Sequence, residues 1–126
     1  MLFSKLNELI QKLNQDDVYK NFKVEFLSNT MSLASPNRVI LGATSLTAED
    51  TTYSAQKTTA NIGMLLVLKL DDNLATYDDY LTRLVKIASE IFDLFRVRDV
   101  DVRVNISQKL VYIFVGVEAQ YISNAW

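Results

Sequence analysis

The stretch of residues 62–70 sets the strongest constraint on how this chain can fold. Ile62, Met64, Leu66, Leu68 and Leu70 alternate along one side, while Leu65 and Val67 occupy the other. Successive side chains of a β-strand point to opposite faces, so a strand here is apolar on both. Such a strand must be covered twice. It is central in a sheet, or half-covered by another subunit. A membrane span is not an option. Lys69 and the Asp71-Asp72 pair interrupt the run, and a spanning helix needs roughly 18 largely apolar residues.

The flanking sequence supplies the partners. Leu2, Leu6, Leu9, Ile10 and Leu13 fall at the three-to-four spacing of an amphipathic helix that runs to about residue 14. Val24 and Phe26, either side of Glu25, mark a short strand over 22–27. A turn-rich connection with the sole proline, Pro36, leads to a strand over 38–45 through Val39, Ile40 and Leu41. Residues 44–61 are rich in threonine, with Leu46 and Tyr53 as the large apolar groups. Threonine favours strands, so this segment reads as two strand arms joined by a polar tip near Glu49-Asp50, the alternative being a surface loop. Thr76 and Asp79 resemble a capping box. It would open a helix over 77–95, with Leu81, Leu84, Ala88, Ile91, Phe92 and Phe95 in its apolar stripe and Arg96 and Arg98 complementing its dipole. Val100, Val102, Val104 and Ile106 alternate with Asp101, Arg103 and Asn105, the pattern of a half-buried strand, and a final strand covers 110–121. The expected fold is α+β, with a single mostly antiparallel (mixed) sheet of about five strands packed by two amphipathic helices in the order α-β-β-β-α-β-β. A length of 126 residues and the absence of repeats or linkers predict one domain over 1–126, at about 100–200 residues per domain.

Composition removes most chemistries. The chain has no His and no Cys, which excludes His-based triads, thiol nucleophiles, disulfides, iron–sulfur clusters and zinc sites built on those ligands. With 3 Gly and 1 Pro there is little material for a phosphate-cradling loop. The acidic pairs Asp16-Asp17, Asp71-Asp72 and Asp78-Asp79 sit where turns and helix starts use carboxylates. Asp99 and Asp101 are two apart on a strand and could share a face towards a divalent cation, although Arg98 and Arg103 are at hand to pair with them. Ser54 with Lys57, or Ser107 with Lys109, are the arithmetical Ser–Lys pairs, and no oxyanion hole accompanies either. No cofactor is expected. A net charge of −2 gives no pull towards nucleic acid or anionic membrane. The basic set Arg83, Lys86, Arg96, Arg98 and Arg103 is interleaved with Asp93, Asp99 and Asp101, which breaks any phosphate track. The opening residues lack the apolar stretch of about 7–15 residues that a secretory signal needs, so folding inside the cell is expected.

The remaining signals point to contact. Trp126, a lone Trp at a terminus, is a candidate for docking on a neighbour. The order of elements resembles the tail-terminator (tail-completion) proteins of long-tailed bacteriophages and phage-tail-like particles. The resemblance is carried by the opening helix with Leu2 to Leu13, the strand into the Thr-rich excursion, the long apolar strand, the second helix and the closing hairpin. It covers nearly the whole chain and rests on layout, with no signature motif. Head–tail joining proteins and tube-like subunits share much of it. The resemblance implies a homo-oligomeric ring, usually hexameric, that caps the tail tube, stops its polymerisation and docks the head connector. Its partners would be copies of itself, the tube protein and the connector protein. No membrane and no sequence-specific nucleic acid are expected, DNA passing through the lumen. The place implied is the virion tail or neck, after assembly in the host cytoplasm. Candidate subunit or tube contacts are Thr47, Glu49, Asp50, Tyr53, Lys57, Leu65, Val67 and Trp126. From another class, a small metal-dependent enzyme would use Asp99 and Asp101.

Overall fold

The computed structural model describes residues 2–28, 31–50 and 55–124. Helix α1 (Leu2–Gln15) is followed by a 3₁₀ turn (Tyr19–Asn21) and the strands β1 (Lys23–Phe26), β2 (Arg38–Asp50) and β3 (Ala55–Lys69). Helix α2 (Leu74–Ser89), β4 (Leu94–Asn105) and β5 (Leu110–Asn124) complete the chain. The sheet has five strands in the order β1-β2-β3-β5-β4. β1 and β2 are parallel, and the other pairs are antiparallel. This is the expected α+β fold with a mixed sheet, and β3 is its central strand.

Both faces of β3 are covered from within the chain. On one face, Ile62, Met64, Leu66 and Leu68 join Leu6, Leu9 and Leu13 of α1 and Leu84 and Ala88 of α2 in the main core. On the other, Val67 is buried with Ile40 and Leu110, and Met31, Leu65 and Tyr112 pack against them. The β1–β2 connection brings Met31 there, and the Tyr112 hydroxyl donates to the Leu33 carbonyl at 2.8 Å. A parallel pair needs a crossover, and this crossover doubles as the second cover. Arg38, buried beside it, is held by the Glu25 carboxylate through its Nε at 3.1 Å.

The helices depart from the sequence pattern at their ends. α2 begins at Leu74, capped by Asn73, whose side chain accepts from the Ala75 N–H at 3.1 Å. Thr76 lies inside the first turn, with its N–H donated to the Asn73 carbonyl, so it is not the start of a capping box. Nor does the helix reach residue 95. It ends at Ser89, while Ile91 and Phe92 turn into the core and Phe95 belongs to β4. The apolar stripe continues past the helix because the link and the next strand feed the same core. Arg96 and Arg98 therefore stand on β4, reaching Glu118 at 3.5 and 3.1 Å instead of complementing a helix end.

The acidic residue after α1 has a defined task. Asp16 accepts from the N–H groups of Val18 and Tyr19 at 3.0 and 3.2 Å and takes a two-pronged bond from Arg83 of α2 at 2.7 and 2.8 Å. Behind it Tyr19 is fully buried, with its hydroxyl donated to the Tyr80 carbonyl and its ring against Phe22 and Tyr80. Burial pushes the Tyr19 phenol well above its ordinary value.

The three glycines form one row across the sheet. Gly42 pairs with Gly63, Gly63 with Gly116, and Gly116 with Asp99 of β4. The register shifts of β2 and β4 fall at the same level, between Ala43 and Ser45 and between Val97 and Asp99. Bulges bend and twist a strand, and glycine marks bends and close approaches. Here the approach is visible. A Cβ on Gly63 would lie 2.9 Å from Cε2 of Phe114, and one on Gly116 would lie 2.1 Å from an Asp99 carboxylate oxygen.

Two expectations follow. Gly63→Ala pushes a methyl into the Phe114 ring, and overpacking of this kind costs about 1–3 kcal/mol; chemical denaturation should show the loss, with much of it relieved in a Gly63→Ala, Phe114→Ala double variant. The Arg83 bond, with help from the two N–H donors, holds the Asp16 carboxyl below its ordinary 3.8. A depressed carboxylate pKa stabilises the fold above the unfolded-state value and is lost as pH falls through the folded value. Asp16→Asn should be less stable than the parent at pH 7 by on the order of 1 kcal/mol, and the gap should close below about pH 3.8 in thermal melts.

Candidate interaction surface

Strand pairing places four of the expected contact residues, Thr47, Glu49, Asp50 and Lys57, on an arm. β2 and β3 stay paired along the Thr-rich segment, with Thr47 opposite Thr59, Glu49 opposite Lys57 and Asp50 opposite Gln56. Over the described residues 44–50 and 55–61 the segment is paired strand, and β5 runs beside β3 as far as Asn124 opposite Ala55; the connection between the two lies outside the described residues. Tyr53 and Trp126 lie outside the described residues.

The glycine row divides the face away from the helices. On the side nearer the β3–α2 turn it is apolar, with Val67 fully buried and Leu65 half-buried. Val67 is therefore covered by its own chain, and Leu65 lies in register with Phe114. On the arm side the same face carries a polar cluster, with Asn61 donating its side-chain amide to the Ser45 hydroxyl at 2.6 Å and Glu118 bonded to Arg96 and Arg98, next to the exposed apolar side chains of Leu94 and Ile122.

No converging donor set stands out. No group of three or more Asp or Glu close enough to hold a metal ion occurs among the described residues. Asp101 is bonded to Arg103 at 3.1 Å, and Asp99 stands over Gly116. The Ser107 hydroxyl donates to the Asn105 side chain, not towards Lys109, and Ser54 lies outside the described residues. A hollow of about 600 Å³ between the β3–α2 turn and the β4–β5 turn, lined by Asp71, Tyr77, Tyr80, Ile106 and Lys109, is open to solvent. Its polar centre is satisfied locally, because the Tyr77 hydroxyl accepts from the Asp71 N–H and donates to the Asp71 carbonyl. The arginines of the basic set are engaged, Arg83 with Asp16, Arg96 and Arg98 with Glu118, and Arg103 with Asp101. No helix among the described residues is long and apolar enough to cross a membrane.

One surface was missed by sequence reasoning. Val100, Val102 and Val104 pair with Val115, Ile113 and Val111, which are core residues, so they point to the helix side as expected. Yet they are 44%, 56% and 53% exposed, and Ile106 beyond them is 77% exposed. The helix-side cover reaches β5 and the Phe95 end of β4, and leaves the rest of β4, the outermost strand, open. Alternation told which side chains share a face; it could not tell that no described residue covers that face.

No protein-family model and no curated protein sequence matches this chain. Its fold is similar to that of a chain in a solved structure described as "Virion of native gene transfer agent (GTA) particle". The TM-score is 0.60 at 13% identity, over 93% of this chain and 92% of that one. The shared property is the fold, over close to the full length of both chains.

The carboxylates of β4 give a direct check on cation chemistry. Millimolar Ca²⁺ or Mg²⁺ should leave the melting temperature within 1 °C or so, since a ligand at 100 times its Kd would add about 2.7 kcal/mol. A rise abolished by Asp99→Asn would reveal a cation site instead.

Proposed function

We propose that this protein is a structural component of a phage-like virion, acting by contact and not by catalysis, and that its role is that of a tail terminator. In this reading copies of the chain close into a ring on the tail tube, stop its growth and present a surface for the head connector. The observation that carries it is the full-length likeness in fold to a chain of a gene transfer agent virion. The sequence layout supports the finer role, as does an acidic balance of −2, which suits a lumen that lets DNA pass without gripping it.

The arm is the tube contact in this proposal, with Thr47, Glu49, Asp50 and Lys57 on its paired strands; Tyr53 and Trp126, outside the described residues, are proposed as further contacts. Leu65 contributes to the subunit contact, backed from below by Val67. Heterologous contacts that close on themselves make rings, and a strand arm reaching past the body suits contact with a neighbour in an assembly.

Negative-stain imaging of the purified protein, alone and with tail tubes, tests the reading. Closed rings of fixed size that cap tube ends are expected, whereas open-ended polymers would assign the chain to the tube, and particles that never ring would remove the terminator role. Lys57→Glu, which sets two acids opposite each other on the arm, should abolish tube capping while shifting the melting temperature by only a few degrees.

A further inference from the structure

We infer that β4 is a docking edge for a second copy of this chain, pairing antiparallel with its own counterpart about a two-fold axis at Val102. This contact goes beyond the ring reading and does not depend on it.

The edge is long and open. β4 has 12 residues and, among the described residues, only β5 beside it, so its outer N–H and C=O groups face no described strand. An open edge bearing exposed apolar side chains is a template for strand addition. The opposite edge of the sheet, β1, has only 4 residues and would leave most of β4 unpaired in a head-to-tail contact.

Charge selects the occupant. The regular part of β4 spans residues 99–105, between the bulge after Val97 and the turn at Ile106. Antiparallel pairing about Val102 sets Asp101 against Arg103 of the second copy and Arg103 against its Asp101. Val100 then meets Val104, and Asp99 meets Asn105. Cross-strand pairs of opposite charge stabilise a sheet, and like charges directly opposite destabilise it. Moving the axis to Asp101 puts that carboxylate opposite itself, and moving it to Arg103 opposes two guanidinium groups. Shifting the register by one residue pairs valine with aspartate or arginine. Charges and bulges often blunt an edge against any partner. Here their order rejects the neighbouring registers and admits the one centred on Val102, and the bulge at Arg98 marks where pairing stops. Asp101 and Arg103 are largely exposed and now bonded only to each other, so both are free to exchange partners.

Cysteine placement reads the register directly. Directly opposed residues have Cα atoms about 4.5–5.5 Å apart, within the roughly 4.4–6.8 Å that a disulfide spans. Under mild oxidation Val102→Cys should form a covalent dimer on non-reducing gels. Val100→Cys and Val104→Cys should each remain uncrosslinked alone and crosslink when mixed. Charge provides the second measurement, by light scattering across a concentration series. Asp101→Arg alone, and Arg103→Asp alone, should weaken the dimer about tenfold or more. Their mixture should restore it, because every opposed pair is then of opposite sign. Failure of Val102→Cys to crosslink, crosslinking of Val100→Cys alone as readily as Val102→Cys, or no loss in either charge variant would overturn the proposal. Ring counts by imaging report on the ring reading separately.

Discussion

The architecture depends on covering β3 twice. A strand apolar on both faces cannot sit at a surface, so the chain must find two separate lids for it. The helices form one, with Leu6, Leu9 and Leu13 against Met64 and Leu66. The other is made from the crossover between β1 and β2, which carries Met31 onto Val67 and Ile40. That second lid is small, and it reaches only as far as the glycine row. The helical lid is also finite, and β4 beyond its Phe95 end falls outside it. What is exposed on this protein is therefore what remains after β3 has been served.

On the face away from the helices the glycine row marks where the cover ends, whereas on the helix face the core continues past it through Ile62, Val117, Ala60, Ala119 and Tyr121. Gly42, Gly63 and Gly116 are not in left-handed conformations, so their role is spatial. They let Phe114 and Asp99 fold onto the sheet where any Cβ would obstruct them. Bulges at the same level in β2 and β4 absorb an extra residue each and add twist where the cover ends. A composition poor in glycine thus spends all of it along a single line.

Much of this was legible from the sequence, and the failures share a cause. Periodicity placed the central strand, the first helix and both faces of the sheet, because local side-chain direction is fixed by backbone geometry. It overran α2 by several residues, since Ile91, Phe92 and Phe95 serve the same core whether helical or extended. It chose Thr76 over Asn73 as the cap, because both residue types accept from a free N–H and the choice depends on where Asp71 turns the chain. It read β4 as half-buried because alternation encodes a face and not a cover. The row of glycines was invisible for a related reason. Gly42, Gly63 and Gly116 are distant in sequence and meet only through the register of three strands.

The same distinction bears on function. A catalytic site is written in residue types, of which this chain lacks His and Cys; an assembly surface is written in geometry, which composition does not reveal. On β4 the two kinds of information meet. The order Asp-Val-Asp-Val-Arg-Val-Asn is unremarkable as composition, and as a solvated strand face it needs no partner. Only its position on an outer edge, with its valines turned to an uncovered side and a bulge fixing its start, makes the order of its charges consequential. An edge that merely had to stay soluble would be served by charges of one sign, which repel every copy in every register. Mixed signs arranged to match their own reversal do the opposite, and that is the physical difference between a strand that avoids its own kind and one that selects it.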